Sequence, residues 1–456
     1  MIDLTRKGLP DHVIVAGKSF LLNTDFREWL KFSKEITKKD TNITNLLGVV
    51  QNVTLLDFFQ NQDEFISKLL EFYTNENSTP NMESNDRTKV IDYIQDGEYI
   101  VGTLIANSKK QEASSKEGQS QSIVYEGRGK SIMEAFYDID LESPKQLYIG
   151  HLTVAIIDES IAKNEIEKIS DILIRSPESR KNFYVLIAKD AKAIDVLKIT
   201  TPLESFPSQN ISMNLKNTST YQGISTDLTY SEFIASLLTT GINPTLPSVQ
   251  IIGEVKNGEQ QSNLESTNPK TKLKLSTLAV FKDAELLGYV TEEESKMINI
   301  LNKRTSYAMQ SIKYKDSQIV FHLSDFKITK KVSLAKGKPT LFLNFSSKAA
   351  INEINTDANL SDPNIIADIN ELLNQKIKQE IKKTIGTTQN KFQSDIFGFG
   401  NLFYQKYPNY FSKIETKWDK DIYKTLSLNI NVNIDLETKG SLEQTIRREM
   451  YGKTTK

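Results

Sequence analysis

The strongest constraint on how this chain folds is an alternating segment near its C-terminus, "LSLNINVNIDL". Successive side chains of a β-strand point to opposite faces of a sheet, so this pattern predicts a strand with one buried face and one solvated face. The apolar positions are Leu426, Leu428, Ile430, Val432, Ile434 and Leu436. Such a strand needs partner strands beside it and a second layer that covers its apolar face.

A long amphipathic helix is predicted upstream as that second layer. Asp362 and Pro363 suit the N-cap and the first helical position, and Gly386 is expected to end the helix. The apolar stripe between them comprises Ile365, Ile369, Leu372, Leu373, Ile377, Ile381 and Ile385. Because these residues recur at helical spacing, they predict one face of a helix of about six turns that lies along the sheet.

Most of the remaining chain alternates short apolar runs with amphipathic segments. "KVIDYIQDGEYIVGTLIAN" predicts a hairpin that turns at Gln95-Asp96-Gly97, and "FYVLIA" suits a strand buried on both faces. Further along, "QIVFHL", "DFKITKKVSL" and "PTLFLNF" follow one another closely, which favours antiparallel pairing. The predicted fold class is α+β, with several successive domains that are each a mixed or antiparallel sheet with helices packed on it.

Two polar stretches help to divide the chain. Residues 74 to 89 predict a linker, and a long polar loop is predicted from Gly253 to Lys274. Residues 1–88 are predicted to form a small α+β segment with its linker, and residues 441–456 form a charged tail. Towards the C-terminus, the long helix is expected to lie on an antiparallel sheet.

The composition excludes several classes of function. A formal net charge of −1 provides no general attraction to nucleic acid, so no nucleic-acid partner is expected. With no cysteine, the sequence has no disulfide, thiolate metal site or cysteine nucleophile. Three widely separated histidines, His12, His151 and His322, offer little for metal binding, and His151 is expected to be a buried histidine of an apolar strand.

One motif invites comparison with a phosphate-binding loop. Gly129, Lys130 and Ser131 in "EGRGKSIMEAF" match the end of GxxxxGK[ST], but Val124 stands where the first glycine is required. Ser131 and Glu134 instead predict a capping box at the start of a helix. The apolar face of that helix would consist of Ile132, Ala135, Phe136 and Ile139. A strand-to-helix turn is therefore favoured over nucleotide binding.

A second segment, "SDIFGFG" from Ser394 to Gly400, resembles the kinase Asp-Phe-Gly triplet, but neither a catalytic loop nor a glycine-rich loop accompanies it. Asp395 is expected to cap a turn, with apolar neighbours in the core and glycines that allow positive φ. "TDANLSDPN" lacks the glycine and the terminal glutamate of a calcium loop. No catalytic, cofactor-binding or metal-binding residue is predicted, and no cofactor is expected.

Seven segments between Val90 and Gly440 together resemble one family. They are "GRGKSIMEAF", "LYIGHLTVAII", "LIRSPESRKNFYVLIAKDAKAIDVL", "TPLESFPS", "LAVFKDAELLGYV", "SDIFGFGNLFYQKYP" and "KIETKW". In this order they resemble the Ger(x)C family, the C subunits of spore germinant receptors. The resemblance implies three domains of sheet plus helices, assigned to residues 89–215, 216–332 and 333–440, in a lipoprotein on the outer face of the spore inner membrane.

Residues 1 to 100 depart from that family. Its members begin with a secretion signal and a lipobox cysteine, and this sequence shows neither. "LPDHVIVAGKSFLLNTDFREWLKF" and "KVIDYIQDGEYI" instead resemble small phage proteins encoded next to the tail tape measure. The segment from Val90 to Val101 fits both families, as strand-turn-strand in the first and as the entry to a helix in the second. It is expected to be the seam between them.

The main resemblance implies a non-enzymatic subunit of a nutrient germinant receptor, an interaction and scaffold protein that acts with the A and B membrane subunits in spore germination. Gly129, Gly288, Gly398 and Gly400 are expected to hold turns that shape its interacting faces. Its expected place is peripheral to the spore inner membrane, while the missing export signal leaves the cytoplasm as an alternative. A phage tail-assembly chaperone-like protein, fused or mis-joined to a germination domain, is the alternative function.

Overall fold

A computed structural model describes residues 12–15, 18–21, 86–93, 98–106, 122–144, 152–175, 181–204, 206–315, 317–335, 337–354 and 359–437. The chain divides into two compact units, Met1–Glu83 and Ser84–Lys456. In the first unit, β1 (His12–Val15) pairs antiparallel with β2 (Lys18–Leu21). The second unit contains the elements described below.

A seven-stranded mixed sheet occupies the first half of the second unit. Its spatial order is β10-β9-β7-β6-β3-β4-β5. These strands are β3 (Asp86–Tyr93), β4 (Tyr99–Ala106), β5 (Ser122–Gly129), β6 (Val154–Asp158), β7 (Tyr184–Ala188), β9 (Ser248–Ile252) and β10 (Lys272–Leu275). The central strands β3, β6, β7 and β9 are mutually parallel, and both outer parts of the sheet pair antiparallel.

Helices cover both faces of this sheet because its central strands are apolar on both sides. Val154 and Ile156 of β6 pack into one core, and Ala155 and Ile157 pack into the opposite one. The helices are α1 (Ile132–Glu142), α2 (Glu159–Asn164), α3 (Ile166–Arg175), α4 (Ala193–Lys198), α5 (Pro207–Tyr221) and α6 (Tyr230–Leu238). The prediction that "FYVLIA" forms a strand buried on both faces is confirmed by β7.

Three local predictions for this region need correction. The linker predicted for residues 74 to 89 is too long, because β3 already begins at Asp86. Val90 to Tyr93 belong to β3 and Tyr99 to Val101 belong to β4, which pair antiparallel, so the entry to a helix expected from the phage-like resemblance is wrong. The turn predicted at Gln95-Asp96-Gly97 lies outside the described residues. The loop predicted from Gly253 to Lys274 contains helices α7 (Val255–Gly258) and α8 (Gln261–Glu265) before β10 begins.

The glycine-lysine-serine motif forms a strand-to-helix turn, as predicted. Ser131 is the N-cap of α1, and its Oγ accepts a hydrogen bond from the Glu134 N–H at 3.2 Å. The Glu134 carboxylate accepts from the backbone N–H of Lys130 at 2.8 Å, one residue earlier than a standard capping box requires. The predicted apolar face of α1 is fully confirmed, because all four of its residues are buried.

Replacing the cap residue gives a simple test. Ser131→Ala is expected to lower the free energy of unfolding by about 1 kcal/mol, because the Glu134 N–H loses its acceptor. Lys130→Ala is the matched control, since Lys130 is exposed and only its backbone takes part in the cap. Urea unfolding of both variants measures the difference. A larger loss at Lys130 than at Ser131 would contradict the structural role of this turn.

A three-stranded sheet and one helix connect the two halves of the second unit. β11 (Ala279–Lys282) lies between β12 (Glu285–Tyr289) and the short β8 (Thr245–Leu246), and both pairings are antiparallel. Thr291 then begins α9 (Glu292–Leu301) with a complete capping box that includes Glu294. Gly288 lies inside β12 at φ 138°, next to a β-bulge of the same strand, so the expectation that it holds a turn is wrong.

The last sheet has four long strands in the order β13-β14-β15-β16. They are β13 (Ala308–Tyr314), β14 (Ser317–Ala335), β15 (Lys338–Ile354) and β16 (Ser427–Glu437). The first three pair antiparallel, as predicted, but β16 pairs parallel with β15. The antiparallel sheet expected for the third domain is therefore a mixed sheet. The reason is that the long connection from β15 to β16 returns the chain to the same end of the sheet.

The predicted helix and strand at the C-terminus are both present. α10 (Pro363–Thr387) begins at the N-cap Asp362, and five members of its apolar stripe are buried. In β16, the even-numbered residues face the core and the odd-numbered residues are exposed. Gly386 does not end the helix, because α10 passes through it and continues as a π-helical turn, Thr388–Phe392, until Gln393 adopts a left-handed conformation at φ 48°.

The division into domains at residues 215/216 and 332/333 stays a prediction. The first position lies within helix α5, and the second lies within strand β14. The 441–456 tail lies outside the described residues.

Candidate functional site

The segment "SDIFGFG" forms the centre of a buried polar cluster that we call the Asp395 junction. Asp395 is fully buried and accepts four hydrogen bonds. Its Oδ1 accepts from the backbone N–H groups of Phe397 (3.1 Å) and Phe399 (3.2 Å). Its Oδ2 accepts from Gly400 N–H (2.7 Å) and Trp418 Nε1 (3.0 Å). The prediction that Asp395 caps a turn is confirmed, and the cap includes a distant tryptophan.

The two glycines of the segment have different roles. Gly398 adopts φ 71°, as predicted for a turn that needs the left-handed region. Gly400 is required for close approach, because a Cβ there would lie 2.6 Å from Trp418 Nε1 and 2.9 Å from the Gly241 carbonyl oxygen. Thus the prediction of positive φ is confirmed at Gly398 and wrong at Gly400.

A second acidic residue, the half-buried Asp419, extends the junction to other parts of the chain. Asp419 Oδ1 accepts from the Asp395 N–H at 2.9 Å, and its Oδ2 accepts from Asn243 Nδ2 at 3.1 Å. Asn243 Oδ1 in turn accepts from the Asp283 N–H at 2.8 Å, and the Asn243 N–H donates to the Asp395 carbonyl at 2.8 Å. Four separate segments are thereby held by one set of hydrogen bonds.

The junction is enclosed by aromatic side chains. The Trp418 ring packs 5.4 Å from the rings of Phe403 and Phe411, measured between centroids. Tyr423 packs against Trp418 at 6.4 Å, and its hydroxyl hydrogen-bonds with Thr388 Oγ1 at 2.6 Å. This enclosure excludes water from the Asp395 carboxylate, which therefore depends on its protein partners.

Burial changes the acidity of both carboxyl groups. It raises the pKa of Asp395 to about 6, against the opposing effect of the hydrogen bonds from Gly400 and Trp418, and the charge of Asp419 raises the pKa further. Burial also raises the pKa of Asp419, while the hydrogen bonds from Asn243 and from the Asp395 backbone oppose it. Both oxygens of Asp395 are occupied by donors, so this carboxylate joins segments of the chain.

A second polar contact lies at the C-terminal end of α9. Asn299 Nδ2 donates to the carbonyl oxygens of Gly223 (2.7 Å) and Ser225 (3.2 Å). The Ser219 hydroxyl donates to the Arg304 carbonyl at 2.9 Å. These bonds connect the end of α5 and the residues after it with the end of α9 and the segment that leads into β13. The two halves of the second unit are therefore joined by buried polar contacts at two places.

The histidines and Gly129, which the sequence analysis discussed, lie at separate places in the structure. His322 lies in β14, where its ring stacks on Tyr307 at 4.9 Å, whereas the side chains of His12 and His151 lie outside the described residues. Within the described ranges, no three His, Asp or Glu residues form a group that could hold a metal ion. Gly129, the last residue of β5, packs closely on α1, where a Cβ would lie 2.5 Å from the Ala135 nitrogen.

Asn243 and Asp419 were not identified from sequence. They are separated by 176 positions, and neither stands in a recognisable motif. A carboxylate directly after the tryptophan of "KIETKW" is a weak signal, because only the folded chain shows which amide it meets. Among the described residues, no helix is both long enough and apolar enough to cross a membrane.

The fold and the junction define a protein of packed α+β layers whose halves are joined by buried polar groups. Comparison with known proteins gives the family. Residues 88–251 match the family model described as the spore germination protein N-terminal domain, and residues 276–440 match the one described as spore germination B3/GerAC like, C-terminal. The chain therefore belongs to the Ger(x)C family of spore germination proteins, which confirms the main resemblance.

Two relatives found by sequence agree with this assignment. Spore germination protein KC of Bacillus subtilis (strain 168) is 28% identical over 333 residues, which cover 72% of this chain and 81% of the relative. Spore germination protein B3 of the same organism is 21% identical over 350 residues, covering 74% and 87%. A solved structure titled "Crystal Structure of the GerBC protein" aligns with a TM-score of 0.47 and 17% identity over 76% of this chain and 96% of that one.

The phage-like resemblance of residues 1 to 100 receives no support from these matches. The N-terminal germination domain already begins at residue 88, so the expected seam at Val90 to Val101 belongs to the germination protein. The β3/β4 hairpin found there agrees with this result.

Proposed function

We propose that this chain is the C-type subunit of a nutrient germinant receptor and that it acts as a scaffold for partner subunits without catalysing a reaction. The observation that carries the proposal is the ordered match of both germination domains, at residues 88–251 and 276–440. The expected partners are the A and B membrane subunits of the receptor. The chain would lie at the spore inner membrane as a peripheral component.

The geometry of the Asp395 junction supports a scaffold role. Its acidic and amide groups bind segments of the chain to one another at the connection between the two matched domains. Asn243 lies in the first domain, and Asp395 and Asp419 lie in the second. A junction of this kind fixes the relative position of two surfaces. Partner subunits could then contact both surfaces at once.

A genetic experiment tests this function. Deletion of the gene from the spore former that carries it is expected to abolish the germination response to at least one nutrient, measured as loss of optical density and release of dipicolinic acid. Reintroduction of the intact gene is the control and should restore the response. Unchanged germination with every nutrient to which the parent strain responds would contradict the proposal.

Fractionation of dormant spores tests the location separately. An antibody to the C-terminal domain should detect the chain in the inner-membrane fraction of the parent strain. The chain should disappear from the inner-membrane fraction when the genes of the A and B subunits are deleted. Retention in the soluble fraction of the parent strain would contradict the peripheral membrane location.

A further inference from the structure

Lys330 occupies an unusual position in β14. It lies on the same face of this strand as Ile328 and Val332, both of which are buried in the core, while its neighbours Thr329 and Lys331 are exposed on the opposite face. A lysine on a core-facing position loses hydration, which is costly unless its ammonium group finds partners. Burial lowers the pKa of Lys330 to about 8, and the nearby charges of Arg304 and Lys303 lower it as well.

The hydrogen bonds of Lys330 leave part of its capacity unused. Its Nζ donates to Asn302 Oδ1 at 3.1 Å and to the Phe397 carbonyl at 3.0 Å. The ammonium also lies 5.5 Å from the centre of the Phe399 ring. An ammonium group has three N–H donors, so one remains for another acceptor. No described carboxylate lies within ion-pair distance of it, and Asp395 acts on it only at longer range.

A cleft of about 320 Å³ opens beside this ammonium group. We call it the Lys330 cleft. Its polar lining consists of Asn302, Lys303, Arg304 and Lys330, and its apolar lining consists of Ile242, Leu301 and Ile328. Lys303 adopts a left-handed conformation at φ 57°, directly after α9, so the chain turns sharply where the two consecutive basic residues meet the cleft.

The charge in the cleft is not balanced by close acidic groups. Arg304 Nη1 donates to the Thr245 hydroxyl at 2.9 Å. Among the described residues, neither Arg304 nor Lys303 has a carboxylate partner at ion-pair distance. Asp227 and Glu232 influence Arg304 from a separate cavity, which Lys303 and Arg304 also line. Three cationic side chains thus border one cleft, and an anion placed there would compensate their charge.

We propose that the Lys330 cleft binds a small organic anion, a carboxylate that carries a short apolar chain. The carboxylate would accept hydrogen bonds from Lys330 and the guanidinium of Arg304, with Lys303 nearby. The apolar chain would contact Ile242, Leu301 and Ile328. A volume of this size is typical of small-molecule sites, and an inorganic anion alone would make no use of the apolar wall. This inference concerns the isolated chain and does not depend on the receptor function.

Calorimetry on the purified full chain tests the proposal, with isovalerate as the probe. Isovalerate is expected to bind saturably, whereas isovaleramide, which has the same shape without the charge, is not expected to bind. Lys330→Met keeps the side-chain length and removes the charge, so it should weaken binding by at least about tenfold. Lys331→Met is the matched control, because it removes a charge from the exposed face of the same strand, and it should leave binding unchanged.

Three outcomes would overturn the proposal: no binding of isovalerate, equal binding to the wild type and Lys330→Met, or tighter binding of inorganic phosphate than of isovalerate. Should Lys330→Met fail to fold, as judged by its thermal unfolding midpoint, Lys303→Met replaces it. Lys303 is exposed, so the fold should tolerate its substitution, which removes a cation from the cleft. Unchanged binding in that variant would also contradict the proposal.

Discussion

Asp395→Ala is expected to lower the free energy of unfolding by about 3–5 kcal/mol. The substitution leaves four buried donors without their acceptor, namely three backbone N–H groups and Trp418 Nε1. Each unsatisfied buried group costs about 1–3 kcal/mol, and partial rearrangement keeps the total below the sum. Urea unfolding at pH 7, followed by circular dichroism, measures the loss.

Asp421→Ala is the matched control for this substitution. Asp421 lies two positions after Asp419 in the same turn, but it is exposed. Removal of its carboxylate should change the stability by less than about 0.5 kcal/mol. A loss below about 1 kcal/mol at Asp395, or equal losses at both positions, would show that the junction is not a stabilising element.

The sequence predicted those elements that local periodicity determines. The stripe of α10 and the alternation of β16 each arise from a single run of residues, so both elements were identified with their buried faces. The start of α1 was equally local, since Ser131 and Glu134 are close neighbours in sequence. In each case, the residues that specify the element lie within one short run of the sequence.

The sequence was less informative where the chain breaks a local rule. "QIVFHL" and "DFKITKKVSL" were separated because Ser324 and Asp325 interrupt the apolar pattern. In the structure, both segments belong to β14, and the strand passes through a β-bulge in which Asp325 adopts φ 53°. The bulge shifts the pattern by one residue, so Ile328, Lys330 and Val332 face the core. The basic residue of the cleft results from this shift.

Contacts between distant segments were not predictable from a single sequence. The parallel pairing of β16 with β15 depends on the path of α10, and no residue within β16 specifies it. The Asp395 junction shows the same limit: the cap at Asp395 was predicted, but its bonds to Trp418 and Asp419 connect segments that only the folded chain brings together. Burial of the cap is what makes these distant partners necessary.

The stability of the protein is expected to fall by about 2–3 kcal/mol between pH 4 and pH 7 through Asp395 alone. Burial raises the pKa of this carboxyl from 3.8 to about 6, so in this interval the folded state holds a proton that the unfolded state has released. The contribution is fully present below pH 3.8 and is lost as the pH rises through 6. Glu294 has the opposite dependence, because burial of its carboxyl is outweighed by hydrogen bonds from Thr291 and Thr387 that lower its pKa, so the total stability alone does not isolate the contribution of Asp395.

Comparison with Asp395→Asn isolates this contribution, because an amide at this position does not titrate. Its NH₂ group would also face the donors Gly400 N–H or Trp418 Nε1, so the variant should be less stable than the wild type at pH 4, where the native carboxyl is neutral. The difference in free energy of unfolding between wild type and variant should then shrink as the pH rises to 7, since only the wild type loses its proton. Urea unfolding across this range measures it. A difference that stays constant would mean that the pKa of Asp395 is not shifted by folding. A difference that grows with pH would mean that the four hydrogen bonds outweigh the cost of burying the charge and lower this pKa.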